Sequence, residues 1–233
     1  MISEMFAHGF IQRAFIGGVL VSLCAALLGV SLVLKRYSMI GDGLSHVSFG
    51  ALSIAIAFGF APIKFSIPIV IIAAFFLLRL AENGKMKSDA AIAMVSASSL
   101  AIGVIVTSLT TGLSTDVCSY MFGSILAMSK DDVIFSVVLS VVVLIMFGFC
   151  YHRIFAVTFD ESFSKATGVK VGMYNTLISI FTAVTVVLGI KMMGAMLISS
   201  LIIFPALTSM RVFKSFLSVT ICSAILAVIN FTA

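Results

Sequence analysis

Val133-Ile-Phe-Ser-Val-Val-Leu-Ser-Val-Val-Val-Leu-Ile-Met-Phe-Gly-Phe-Cys-Tyr151 runs for nineteen residues without a charge. A helix rises roughly 1.5 Å per residue, and about 17 to 25 apolar residues cross the hydrocarbon of a bilayer. The stretch therefore reads as a membrane-spanning helix. Comparable charge-free runs occupy residues 15–34, 43–63, 90–115, 171–190, 192–210 and 215–233. The shorter run from Phe65 to Leu78 spans if Lys64 and Arg79 snorkel to the two interfaces. The expected fold is an all-α integral membrane protein of about eight transmembrane helices, with residues 1–233 forming a single transmembrane domain.

Composition agrees. Of 233 residues, 61% are hydrophobic and 10% charged, with a mean hydropathy of +1.27, against about 25% charged in soluble domains. The net charge of +5 does not point to nucleic acid, because the basic residues are scattered between apolar runs and form no patch beside aromatic platforms. Their placement reports topology. Lys35, Arg36, Arg79, Lys85, Lys87, Arg153, Lys165, Lys170, Arg211 and Lys214 fall on one side, and only Arg13, Lys64, Lys130 and Lys191 on the other. The positive-inside rule makes the richer side cytoplasmic and puts both ends of the chain outside. The first apolar run continues to Lys35-Arg36 without a small-residue cleavage site, so it is expected to be a span and not a signal peptide. Cys24, Cys118, Cys150 and Cys222 lie far apart without CxxC spacing and read as apolar packing residues.

Two connections are long. Residues 110–132 contain the apolar piece Val117 to Met128, too short to span and expected to be re-entrant or interfacial. Residues 152–170 are expected to be a polar cytoplasmic loop. Within it, residues 158–169 read as a short helix with Thr158 before the acidic Asp160 and Glu161, and with Gly168 as the stop after Lys165. Phe159, Phe163 and Ala166 form one apolar stripe, suited either to a partner protein or to the bilayer interface. Pro205 is expected to kink or end its helix.

Asp42 and His46 stand at i and i+4, on one helical face about a turn apart. Ionisable groups at membrane depth cost roughly 2.5 to 3.5 kcal/mol each on insertion, so their presence points to use. A carboxylate and an imidazole are a ligand pair for Zn²⁺, Mn²⁺ or Fe²⁺. Two donors do not fix an ion, and Asp116 and Asp89 are the remaining candidates. Asp89 reads equally well as a helix N-cap, and Asp42, within Gly41-Asp42-Gly43, has the same second reading. There is no phosphate-binding G-x-x-x-x-G-K-[ST] loop, H-E-x-x-H or G-x-S-x-G motif. If transport here consumes ATP, a separate subunit must bind it, and no hydrolytic motif marks the chain as an enzyme.

Leu34-Lys-Arg-Tyr-Ser-Met-Ile-Gly-Asp-Gly-Leu-Ser-His46, Tyr120-Met-Phe-Gly-Ser-Ile-Leu-Ala-Met-Ser129, Phe159-Asp-Glu-Ser-Phe-Ser-Lys-Ala-Thr-Gly-Val169 and Gly194-Ala-Met-Leu-Ile-Ser-Ser-Leu-Ile-Ile-Phe-Pro-Ala206 resemble, in order, the signatures of the zinc/manganese/iron ABC transporter permeases of the ABC-3 type. The resemblance implies a permease homodimer in the bacterial plasma membrane, two cytoplasmic ATPase subunits and an extracytoplasmic solute-binding protein. It implies a transported zinc, manganese or iron ion in place of a permanently bound cofactor. Asp42 and His46 match the family's D-x-x-x-H pair, and Asp116 its acidic position before the tyrosine-glycine signature. Phe159, Asp160, Glu161, Phe163, Lys165 and Gly168 match the segment that couples to the ATPase. This chain departs there, with Glu161 and Ser162 where the family often has proline and glutamate after the aspartate. The competing readings are a permease for an iron chelate such as a siderophore or haem, and an ion-coupled secondary transporter working alone.

Overall fold

The computed structural model describes residues 9–37, 39–82, 88–110, 123 and 130–232, and among them every regular element is a helix. In chain order these are α1 (Gly9–Leu34), α2 (Ile40–Ala57), α3 (Pro62–Glu82), α4 (Ser88–Leu109), α5 (Lys130–Phe159), the short α6 (Glu161–Ala166), α7 (Val171–Met193), α8 (Ala195–Val212) and α9 (Phe216–Thr232). Six are long and apolar enough to cross a membrane, and apolar parts of α3 and α9 are shorter versions of the same pattern. The eight expected spans are thus all present as helices, and the protein is a multi-pass membrane protein.

The bundle is built around α1, α2 and α7. Helix α1 packs against α5, α7, α8 and α9, while α7 also meets α2, α3 and α8. Leu28, Leu44, Leu52, Leu188, Ile198 and Leu201 are buried where these helices meet. Helices α4 and α5 lie outside, and turn Met94, Ile102, Ile105, Ile134, Ile145 and Phe149 outward. Such residues are at home against lipid, where no water opposes them. One contact sets how near α1 and α8 can come. A Cβ on Gly29 would fall 1.9 Å from the carbonyl oxygen of Ile202, so only glycine permits this approach. Hydroxyls inside the spans bond back to the preceding turn, as Ser53 does to Phe49 O (3.0 Å) and Thr182 to Ile178 O (2.8 Å).

Several boundaries differ from expectation. Helix α5 runs eight residues beyond Tyr151, through His152 and Arg153 to Phe159, so much of the expected polar loop is helix. A charge ends an apolar run, but it does not end a helix whose backbone bonds continue. Helix α2 stops at Ala57 and not at residue 63, where Gly59 adopts φ +71° in the turn to α3. Helix α3 is longer than its apolar run, and its 21 residues reach about 31 Å. Pro205 is buried within α8, which continues to Val212 and does not end there. Of the segment expected to be re-entrant, residues 117–122 and 124–128 lie outside the described residues. Gly123, at φ +76°, sits against the turn between α7 and α8, and a Cβ there would fall 2.4 Å from Gly194 N.

Candidate functional site

Helix α2 begins at Ile40, with Met39 before it making no side-chain cap, which places Asp42 inside the first turn. The N-cap reading of Asp42 is therefore set aside. The side chain instead faces His46, with Asp42 Oδ2 and His46 Nε2 3.7 Å apart. Both point away from the packed face of α2, with side-chain exposures of 45% for Asp42 and 28% for His46, although 72% of this span is buried. Between the two in sequence, Ser45 approaches Ser199 of α8 with their hydroxyls 3.2 Å apart, and Gly41 lies against Ile202. An ion about 2.1 Å from each donor would open an angle of about 120° between them, so one divalent ion can be shared by the two.

Among the described residues no three metal-binding side chains gather at one place. Asp116 lies outside the described residues. Asp89 is the second residue of α4, and its side chain also lies outside them.

The second cluster is at the other functional segment. Asp160, not Thr158, caps α6, its carboxylate accepting a hydrogen bond from Phe163 N at 2.9 Å. Thr158 is in the last turn of α5. At the far end Gly168 adopts φ +80°, with Gly168 N bonded to Lys165 O and Val169 N to Ser164 O, which is a Schellman stop at the expected glycine. The helix turns Ser164 inward, while Phe159 and Phe163 are 71% and 64% exposed. The apolar stripe thus faces out from the protein.

Glu161, which sequence reading grouped with the coupling residues, points back into its own chain. Its carboxylate accepts from Lys35 Nζ at 2.7 Å and from Asn175 Nδ2 at 3.1 Å, and Lys35 also bonds Asn175 Oδ1. Lys35, at the end of α1, is only 6% exposed. Partial burial, the largest single influence, pushes the Glu161 carboxyl up, but the hydrogen bonds from Lys35 and Asn175 and the charges of Lys35 and Lys165 together hold it below its ordinary value of 4.5. The knot joins α1, α6 and α7; from sequence Lys35 is only a topology marker and part of a signature, and Asn175 is not singled out at all. A buried asparagine within an otherwise apolar run was the available signal.

This architecture has counterparts. Residues 7–233 match the model of the ABC 3 transport family. The chain belongs to that family. It is 30% identical to a probable metal transport system membrane protein of Treponema pallidum over 97% of this chain and 85% of that protein. It is 31% identical to the high-affinity zinc uptake system membrane protein ZnuB of Buchnera aphidicola (94% and 84% covered), and 28% identical to the manganese import system permease protein ScaB of Streptococcus gordonii (93% and 78%). Among solved structures, PsaBC from Streptococcus pneumoniae, in complex with Fab, superposes with a TM-score of 0.84 at 27% identity, covering 98% of this chain and 84% of that one. This ABC-3 chain therefore stands among permeases named for zinc and manganese.

Proposed function

We propose that this chain is the membrane-spanning subunit of an ATP-driven importer that carries a divalent transition-metal ion, zinc, manganese or iron, into the cell. The observation that carries the reading is the Asp42–His46 pair, two borderline donors 3.7 Å apart on a helix that is otherwise packed away. A carboxylate and an imidazole suit a bare ion better than the apolar, aromatic wall that an organic chelate would need.

Two donors per chain call for more. A half-exposed carboxylate facing lipid would be costly, so the exposed face of α2 wants cover by a second copy, whose own Asp42 and His46 would raise the set to four. Helix α4 offers a surface for that copy. It packs closely on α2, yet only 17% of its span is buried, and Ala93, Ala97 and Ala101 make an exposed small-residue ridge. In this reading Asp116 is a further donor, and Asp89 a weaker candidate.

ATP would be hydrolysed by separate cytoplasmic subunits docking on α6. Exposed Phe159 and Phe163 fit an apolar groove in such a partner. Through Lys35, Glu161 and Asn175 a displacement of α6 would reach α1 and α7, the two helices at the centre of the bundle. A solute-binding protein would deliver the ion from the opposite side.

The test is metal content and growth under chelation in cells carrying the intact gene or His46→Ala, with zinc, manganese and iron scanned together. The expected result is selective loss of uptake of one metal, with membrane insertion and ATPase association unchanged. Unchanged uptake of all three metals would overturn the assignment of the pair.

A further inference from the structure

Two cavities at the α6 end of the bundle share a wall and differ in chemistry. The first, about 630 Å³, is polar and basic, and Lys35, Arg36, Lys165, Tyr37, Thr158 and Glu161 are among its lining residues. The second, about 320 Å³, is mainly apolar and is lined by Met210, Phe213, Phe216 and Val219, with Lys214 beside them. Leu34 and Phe159 line both, so the two cavities adjoin. Both volumes lie in the roughly 300–1,000 Å³ range of ligand pockets.

The basic cavity holds unspent capacity for an anion. Three cations face one carboxylate, Glu161, and the difference of two positive charges remains. Glu161 is occupied by Lys35, whereas Arg36 and Lys165 make no ion pair among the described residues. Thr158 is 8% exposed, and its hydroxyl has no hydrogen-bond partner among the described residues, as is also true of Ser164 nearby and of several buried hydroxyls in the spans. Arg36 holds a left-handed backbone, φ +61°, a conformation that a non-glycine residue keeps only where its surroundings impose it.

We propose that these cavities together bind one anionic phospholipid of the adjoining leaflet, its phosphate between Arg36 and Lys165 and an acyl chain in the groove of Met210, Phe213, Phe216 and Val219. A soluble anion would use the basic cavity and leave the apolar one empty. A protein docked on α6 would reach both cavities through Phe159, and is the competing occupant that the test separates. An amphiphile matches a charged chamber opening onto an apolar one at the level where spanning helices end. The occupant would bridge the ends of α1, α5 and α8, next to the knot that holds α6.

The test uses the full 233-residue chain in detergent, with phosphatidylglycerol and phosphatidylcholine of identical acyl chains offered in equal amounts and retention read by native mass spectrometry. Wild type is expected to retain phosphatidylglycerol preferentially. Each of Arg36→Gln and Lys165→Gln should reduce that retention about fivefold, and the double variant about 25-fold. Phe213→Ser should weaken both lipids alike. Lys165 is exposed and makes no contact ion pair among the described residues, so its single variant keeps the test decisive if the double variant misfolds. Equal retention of the two lipids by wild type overturns the proposal, as does unchanged phosphatidylglycerol retention in Lys165→Gln. Displacement of the lipid by millimolar inorganic phosphate would instead mark a soluble-anion site. Retention of neither lipid would mark a surface reserved for a protein partner, and also overturns it.

Discussion

Removing the Lys35 ammonium would leave Glu161 and Asn175 facing each other without a cation between them. Because Glu161 is still about a third exposed, the loss falls short of that for a fully buried pair, and Lys35→Met should cost about 1 to 3 kcal/mol. Lys35→Met combined with Glu161→Gln should cost less than the two single changes added. Thermal denaturation of the four proteins in detergent measures that coupling, and strict additivity would mean that the pair holds nothing together. The pH dependence has a definite sign. Glu161 titrates below 4.5 when folded, so its contribution is complete above that value and fades as pH falls through the depressed one. Acidification should therefore lower the stability of wild type more than that of Glu161→Gln, and parallel curves would contradict the knot. Sequence spacing alone placed Asp42 and His46 on one face, because i and i+4 fix that geometry. It could not turn Glu161 inward, since the rotation of a six-residue helix is decided by what it packs against, here a lysine 126 positions away.

Helix α1 meets α8 at a distance set by a missing side chain. The Cβ of Gly29→Ala would collide with a backbone carbonyl, Ile202 O, which cannot swing aside as a side chain could. The helices must separate and loosen the packing between them, at about 2 to 3 kcal/mol. Gly148→Ala on α5 is the matched control, since nothing lies within 4 Å of its added carbon, and better helix propensity should leave it neutral or slightly stabilising. Similar melting temperatures for the two variants would remove the close approach from the account of the fold. The spans themselves were legible, because a charge-free run of bilayer length has few other uses. Their ends were less so. Charge marks where lipid stops, whereas backbone hydrogen bonds mark where a helix stops, and in α5 the two points differ by eight residues, from Tyr151 to Phe159. Thr158 misled for a related reason: a good capping residue caps only if the preceding helix has already ended, and α5 had not.

A single copy of the bundle leaves two features uncovered on neighbouring helices, the Asp42–His46 pair on α2 and the alanine ridge on α4. Lipid would satisfy the ridge but not the carboxylate, and a second copy would satisfy both. If two copies meet along α4, their backbones can come close at Ala93, Ala97 and Ala101, because methyl side chains permit it. Cysteine pairs need Cα atoms about 5.5 to 6 Å apart, so crosslinking reads that approach directly. With the four native cysteines replaced, Ala97→Cys in native membranes should form a disulfide-linked dimer under mild oxidation. Phe149→Cys, on the outer face of α5 at 88% exposure, should remain monomeric, since that face is left to lipid. Equal crosslinking at both positions would indicate random collision. No crosslinking at Ala97 would move the interface elsewhere and leave the Asp42–His46 pair without the second copy that its exposure and its two-donor set both call for.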